Sequence, residues 1–352
     1  MDVSLLEKLS NADALAGCEN EVRDIMNKNL KGLCDEVSCD KLGSIIFKKK
    51  GTNDGPKIMV AAHMDEVGFK VRTITEQGLI IVKALGAVKQ LAKFHQNVRI
   101  TTNNGKKISG VLHSTYTEQE DIKNIPGKTY VDVGADSAQE VEKMGIEIGN
   151  IVCFDSQFEK LEKKNLIKGK AFDDRIGCYV LARVLENLNG KKHPNTIYFC
   201  ATSSEEVGTR GAQTCSSKIN PDAAIVIDAC CYKDEFDRTA VNSRQLGKGM
   251  VLTHSDRGLE PNQKLLNLVK KCAKKLNKNL QLDMFDRGST DGLKIHLNGK
   301  GVPTQVCCVP LRYGHCAQSI ANVQDIEDAI EIFTELICSI DEKVAKDFTT
   351  FL

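Results

Sequence analysis

Seven polar residues of this 352-residue sequence share one kind of position, because each follows an apolar, strand-like run or lies in a glycine-flanked turn. They are His63, Asp65, Asp173, Glu205, Glu206, Asp228 and His315. The carboxyl ends of parallel strands meet at one edge of a sheet, where ligands bind, so one sheet could gather all seven. Imidazole and carboxylate ligands without thiolate suit zinc, cobalt or manganese. Five such ligands with one shared carboxylate suit two ions roughly 3.5–4 Å apart.

Each feature also has a simpler explanation when it is taken alone. The Glu205-Glu206 pair could be a solvated acidic turn, and a histidine with an aspartate two residues later occurs by chance. Asp174 could cap the helix that follows it, and Asp228 could merely end a strand. The joint pattern favours a metal site, because every member occupies the same topological position.

An α/β pattern positions these residues, and it is interrupted once. Buried strands are predicted at 57–62, 197–201, 223–227 and 304–309, and helices at 4–31, 176–188, 261–277 and 323–344. Between residues 67 and 165, short strand-like pieces alternate with turns, including the hairpin signal Asn104-Gly105. We therefore predict a catalytic domain formed by residues 1–66 and 166–352, with a β-rich domain inserted at 67–165.

Composition excludes several classes of partner. The net charge is +1, with 41% hydrophobic and 27% charged residues, which favours neither nucleic acid nor a membrane surface. The N-terminal segment has no secretory pattern, and no apolar run approaches the roughly 20 residues that span a bilayer. Fourteen cysteines occur without a C-x-x-C pair, and many lie inside apolar runs, so we predict free thiols and a cytoplasmic location.

Six motifs resemble, in order, those of the M42 family of metallo-aminopeptidases, which includes glutamyl aminopeptidases and the tetrahedral TET peptidases. They are AAHMDEVGF, GKAFDDRIG, SSEEVGTRGA, VIDA, GSTDG and RYGH, and the likeness covers nearly the whole chain. The resemblance implies an α/β/α sandwich catalytic domain like that of zinc peptidases, interrupted by a PDZ-like β domain used in oligomerisation. It also implies self-association, with a dodecamer built from dimers.

The resemblance further implies two divalent ions in each subunit, with zinc or cobalt favoured and manganese also suited. His63 and Asp228 would hold one ion, and Glu206 and His315 would hold the other. Asp173 would bridge the two ions.

Two residues would act without binding metal. The resemblance implies that Glu205 is the general base and that Asp65 orients His63 from behind. The implied reaction is hydrolysis of N-terminal residues from peptides. An arginine facing the pocket would favour acidic side chains, and the arginines near the motifs are Arg238, Arg257, Arg287 and Arg312.

Other functions stay open at the level of sequence. A related two-metal hydrolase acting on acyl-amino acids or peptide C-termini would show a similar ligand order. A metal-binding assembly protein without turnover is a second alternative, against which the presence of both Glu205 and Asp65 argues. Two carboxylates could serve a glycosidase, but that reading leaves His63 and His315 without a purpose.

Overall fold

An eight-stranded sheet forms the centre of the structure, a computed structural model that describes residues 2–115, 128–231 and 244–351. In sheet order its strands are β1 (Glu36–Cys39), β2 (Ile45–Lys49), β12 (Thr196–Thr202), β3 (Lys57–His63), β13 (Ala223–Cys231), β16 (Thr304–Leu311), β14 (Met250–Thr253) and β15 (Leu280–Asp283). The four central strands β12, β3, β13 and β16 run parallel. Their carboxyl ends therefore meet at one edge, as the sequence predicts.

Helices cover both faces of this sheet. In chain order they are α1 (Ser4–Asn11), α2 (Asn20–Leu30), α4 (Phe172–Asn187), α5 (Arg210–Ile219), α6 (Gln263–Lys275), α7 (Gly292–Ile295), α8 (Val323–Cys338) and α9 (Glu342–Asp347). Neighbouring residues of one strand point to opposite faces, so Val60 packs in the core beneath α1, α4 and α8 while Met59 packs beneath α5 and α7. The chain thus has a mixed α/β fold with one apolar core on each face of the central sheet.

Two helices predicted from periodicity are each divided in the structure. The predicted helix at 4–31 breaks after Asn11, because the loop that follows is buried and the guanidinium of Arg175 binds its carbonyl groups at Ala12 and Ala14. The predicted helix at 323–344 ends at Cys338, and Asp341 then caps α9 by accepting the N–H of Val344. The first break is set by a residue that is distant in sequence, whereas the second is marked by a local N-cap.

A closed β-barrel occupies the middle of the chain. Its strands, in barrel order, are β4 (Gly68–Ile74), β5 (Ile80–Leu85), β8 (Thr129–Asp132), β7 (Lys107–Ser114), β6 (Gln96–Thr101) and β9 (Ile151–Phe154). A 3-10 helix (Gln90–Lys93) and the short helix α3 (Ala138–Lys143) accompany it. The predicted hairpin is confirmed, since β6 and β7 pair antiparallel around Gly105, whose φ is +81°.

A small sheet and a group of buried charges border this barrel. The sheet contains β10 (Glu159–Lys160), β11 (Leu166–Gly169) and β17 (Ser319–Asn322). Asp13, in the loop after α1, binds Arg99 of the barrel at 2.6 and 2.7 Å and lies 3.3 Å from Lys170 beside β11. Asp13 therefore ties the barrel to the sheet through charged groups that are removed from water.

Two further observations concern thiols and membranes. All fourteen cysteines lie within the described ranges and carry free thiols, as predicted. Among the helices in those ranges, none is long and apolar enough to cross a bilayer.

Candidate metal centre

The structure places all seven predicted site residues in one cluster at the carboxyl edge of the central sheet. His63 is the last residue of β3, Asp228 lies near the end of β13, and His315 follows β16. Asp173 lies in the first turn of α4, where its backbone is not helical. Glu205 and Glu206 lie three and four residues beyond the end of β12. Residues separated by up to about 250 positions thus meet because their strands are parallel.

Asp173 lies between the two imidazoles. Its Oδ1 is 3.1 Å from Nε2 of His63, and its Oδ2 is 3.3 Å from Nε2 of His315. Each carboxylate oxygen therefore faces a different imidazole. The proximity of both imidazoles outweighs the effect of burial and lowers the pKa of Asp173 below its usual range. A carboxylate placed in this way suits a bridge between two ions.

A second carboxylate accompanies each imidazole. Oδ1 of Asp228 lies 4.0 Å from Nε2 of His63, and Oε1 of Glu206 lies 3.3 Å from Nε2 of His315. Ligand atoms of His63, Asp173 and Glu206 all lie within 4.8 Å of one another. The residues thus form two histidine–carboxylate pairs on either side of Asp173.

Backbone carbonyls fix the orientation of both imidazoles. Nδ1 of His63 lies 2.9 Å from the backbone oxygen of Asp65, and Nδ1 of His315 lies 3.2 Å from that of Ala87. Because a carbonyl only accepts hydrogen bonds, each Nδ1 carries the proton and donates it. Each Nε2 therefore faces the cluster and is the nitrogen that can bind a metal ion when no proton occupies it.

The carboxylate of Asp65 binds backbone rather than the imidazole. Its two oxygens accept the N–H groups of Glu205 and Glu206 at 2.9 and 3.1 Å, whereas its nearest distance to Nδ1 of His63 is 3.6 Å. Asp65 thus holds the turn that carries both glutamates, and its backbone oxygen makes the closer contact with His63. These two hydrogen bonds explain why Asp65 accompanies the Glu205-Glu206 pair in the sequence pattern.

The electrostatics of the cluster fit divalent cations. Burial raises the pKa of Glu205 well above its usual value, and the nearby carboxylates of Asp228 and Glu206 add to the rise. Burial likewise raises the pKa values of Glu206 and Asp228. Together with Asp173, the cluster therefore contains four carboxyl groups and two imidazoles. Two bound cations would compensate the excess negative charge.

Two other acidic groupings serve structural purposes. Asp174 lies near His63 and Asp228, but its oxygens accept the N–H groups of Gly177 at 3.0 Å and of His63 at 3.2 Å. The first of these bonds is the capping contact suggested by the sequence. In a second grouping, Asp13, Glu66 and Cys153 lie close together, but the ammonium group of Lys170 already occupies the position of a cation there.

Sequence reasoning missed the buried charges that support this cluster. Glu66, next to Asp65, accepts hydrogen bonds from Lys170 at 2.6 and 2.8 Å and from Arg175 at 2.9 Å. Lys170 and Arg175 flank Asp173 in the sequence and are fully buried. The available signal was that Glu66, Lys170 and Arg175 lie next to the predicted site residues in two motifs, since charged residues at such positions are rarely buried without partners.

Access to the cluster is from the side of His315. The side chain of His315 is 30% exposed, whereas that of His63 is 3% exposed. A small pocket beside His315 is lined by Val67, Phe154 and Phe172. Among the four arginines near the motifs, Arg257 and Arg287 are exposed, Arg312 is half-buried, and Arg238 lies outside the described residues.

Gly314 allows the chain to pass close to β13 just before His315. A Cβ atom at this position would lie 1.9 Å from Sγ of Cys231. We expect Gly314→Ala to displace His315 and to weaken binding of one divalent ion at least tenfold, because losing the groups that orient a metal ligand typically costs about 10–100-fold in affinity. Calorimetric titration with zinc measures the effect.

Two further variants make this prediction specific. Gly32→Ala is the matched control, because a Cβ atom there meets nothing within 4 Å. Adding Cys231→Ala to Gly314→Ala should restore much of the lost affinity, since the clashing sulfur is removed. Unchanged zinc affinity in Gly314→Ala would show that this close approach does not position His315.

Comparisons with known proteins agree in family and in fold. The model of the M42 glutamyl aminopeptidase family matches residues 43–332. The chain is 33% identical to a lysyl aminopeptidase of Pyrococcus furiosus, with 99% of each chain covered. It is 32% identical to a glutamyl aminopeptidase of Lactococcus lactis subsp. cremoris, with 97% of each covered. The crystal structure of a TET aminopeptidase from a marine sediment thaumarchaeote superposes with a TM-score of 0.93 at 35% identity, covering 99% of both chains.

Proposed function

Because the chain belongs to the M42 family of aminopeptidases, and is therefore a peptide-bond hydrolase, we propose that it removes N-terminal residues from peptides with a dinuclear metal centre. The position of Asp173 between His63 and His315, one oxygen toward each imidazole, is the observation that supports this most strongly. Two ions, one beside each imidazole, would use both oxygens of this carboxylate, whereas a single ion beside one imidazole would not.

The proposed ligands follow the pairs in the cluster. His63 and Asp228 would hold one ion, Glu206 and His315 would hold the other, and Asp173 would bridge them. When bound, two such ions polarise the scissile carbonyl and lower the pKa of water from near 16 toward ~7. Zinc or cobalt fits these nitrogen and oxygen donors best, and manganese also fits.

Glu205 is the proposed general base. Its Oε2 lies 4.0 Å from Nε2 of His63, and Asp65 fixes its backbone by accepting its N–H. Burial raises the pKa of Glu205, which suits a group that must both take and return a proton. Glu205 would take the proton of the attacking water and return it to the leaving amine. Asp65 acts behind it by holding the turn and His63.

The preferred N-terminal side chain is a separate proposal. The two relatives described above are named for lysyl and glutamyl substrates at nearly equal identity, so overall similarity does not select between them. Arg257, Arg287 or Arg312, if it faces the substrate, would favour acidic side chains. The competing preference for lysine would instead require a carboxylate at that place.

A substrate panel tests the proposed function directly. Protein reconstituted with zinc, cobalt or manganese is assayed on aminoacyl anilides, on the same compounds with an N-acetyl group, and on peptides blocked at the amino end. We expect cleavage only where the amino group is free. Preferential cleavage of the acetylated compounds would favour an acyl-amino-acid hydrolase, and absence of cleavage with every metal would favour an assembly protein. Glu and Asp ranking last would contradict the arginine proposal.

Removal of the ions should destabilise the protein. The carboxylates around Asp173 are buried close together, so they repel one another when no cation is bound. At an ion concentration of 1,000 times Kd, binding contributes about 4 kcal/mol to the free energy of unfolding. We expect chelation to lower the thermal midpoint by several degrees and zinc to restore it, as measured by scanning calorimetry. A midpoint that is unaffected by chelator would contradict a loaded site.

Domain organisation, assembly and location are also proposals. We propose that residues 67–165 form an inserted PDZ-like domain through which dimers associate into a dodecamer, while 1–66 and 166–352 form the catalytic domain. The similarity to a TET aminopeptidase supports self-association, and sedimentation velocity measures the particle size. A cytoplasmic location is supported by the free thiols.

A further inference from the structure

The motif GSTDG contributes no residue to the proposed metal centre, yet its aspartate lies directly behind it. Asp291 is 1% exposed and immediately precedes α7. Its Oδ2 lies 2.5 Å from Oγ1 of Thr202, the last residue of β12. Thr202 pairs with His63 at the end of β3. Asp291 therefore contacts the point at which the two strands that carry most of the cluster end side by side.

The hydroxyl group of Thr202 lies close to two oxygen atoms, and it can donate a hydrogen bond to only one of them. Its Oγ1 is 2.5 Å from Asp291 and 3.1 Å from the backbone oxygen of Ala62 on β3. A threonine hydroxyl has one hydrogen to donate, and a backbone oxygen only accepts. If Asp291 were ionised, one of these two contacts would join two oxygens with no hydrogen between them.

A proton on Asp291 satisfies the whole chain of contacts. The carboxyl group then donates to Oγ1 of Thr202, and Thr202 donates to the backbone oxygen of Ala62. The distance of 2.5 Å is at the short end of the range for O–H···O bonds. The other oxygen, Oδ1, is buried and has no hydrogen-bond partner in the described part of the chain. A neutral carbonyl oxygen is less costly to leave in that position than a carboxylate oxygen.

We infer that Asp291 is a positioning residue that, as a neutral acid, holds the ends of β3 and β12 together through Thr202. Ala62 directly precedes His63, and Thr202 is three residues before Glu205. The contact thus sets the separation between the histidine and the general base of the proposed aminopeptidase, on which this inference rests. In this role Asp291 acts through Thr202 and not on substrate or metal directly. Burial raises its pKa to about 6, which makes the neutral form more accessible near neutral pH than it is for an exposed aspartate.

Variants at two positions test this role by steady-state kinetics on the best substrate of the panel. Asp291→Asn should keep kcat within about threefold, because an amide N–H can replace the carboxyl proton as donor to Thr202. Asp291→Ala should lower kcat by about 10- to 100-fold, the cost of a small misplacement. KM and the metal content should stay unchanged. Thr202→Val should reproduce the loss, and Thr202→Ser, which keeps the hydroxyl, should not.

An unfolding cycle gives a readout that does not depend on activity. Urea midpoints are measured for Asp291→Ala, Thr202→Val and the double variant, with and without zinc. The two effects should be strongly non-additive, because either change breaks the same chain of bonds. Asp325→Ala provides the matched control: it removes a buried carboxyl of α8 that accepts the N–H groups of Gly247 and Gly249. Its effect should add to that of Thr202→Val.

Other results would overturn the inference. If Asp291→Asn loses as much kcat as Asp291→Ala, an ionised carboxylate is required. If KM rises while kcat is kept, Asp291 contacts substrate. Additive midpoints would show that Asp291 and Thr202 do not act together. If the wild-type protein cleaves no compound in the panel, the proposed function fails, whereas the unfolding cycle still decides the contact between Asp291 and Thr202.

Discussion

Glu205→Gln should reduce turnover by at least about 1,000-fold while the protein still binds two ions. Positioned proton transfer contributes on the order of 10²–10⁴-fold, and here one group handles both the attacking water and the leaving amine. The amide keeps the size of the side chain, and the backbone N–H that binds Asp65 is unaffected. Kinetics on the best aminoacyl anilide, together with metal analysis by mass spectrometry, measure the two effects separately.

Two variants define what this result means. Glu142→Gln, at an exposed position of α3 in the barrel region, makes the same chemical change far from the cluster and should leave kcat unchanged. Glu206→Gln should instead lower the metal content, since Glu206 is a proposed ligand. Retained activity in Glu205→Gln would remove Glu205 from its proposed role, and loss of metal in that variant would make it a ligand.

Glu66→Gln should lower the free energy of unfolding by about 3–5 kcal/mol, the usual cost of breaking a buried ion pair by removing one partner. Glu66 is buried and binds Lys170 and Arg175, both of which have no exposed surface. With Glu66 neutral, two cations remain away from water, and Asp13 is the nearest remaining carboxylate to Lys170, at 3.3 Å. Urea denaturation at constant m-value measures the change.

The chain provides a matched control for this prediction. Glu342 and Lys346 form a pair at 2.6 Å, the same distance as Glu66 and Lys170, but both side chains are largely exposed. Glu342→Gln should therefore leave the urea midpoint unchanged, because water and side-chain entropy offset exposed pairs. Equal effects of the two substitutions would show that burial does not amplify the interaction at Glu66.

The residue types of the proposed ligands and their common edge could be predicted from the sequence, because parallel strands are contiguous apolar runs and a residue at the end of such a run can be identified locally. The helices at 4–31 and 323–344 could be predicted only as periodic stretches. The break after Asn11 depends on Arg175, 163 positions from the carbonyl of Ala12 that it binds, whereas the break before α9 is marked locally by the N-cap Asp341.

Only the tertiary structure decided how the individual groups are paired. The sequence suggested that Asp65 faces His63 with its carboxylate, whereas that carboxylate binds the backbone of the glutamate turn 140 positions away. Glu66 and Lys170 are 104 positions apart, and Thr202 and Asp291 are 89 apart. Hydrogen bonds and buried charges act over about 3 Å, so their partners are fixed by packing. Sequence spacing reports only the periodicity of each separate element.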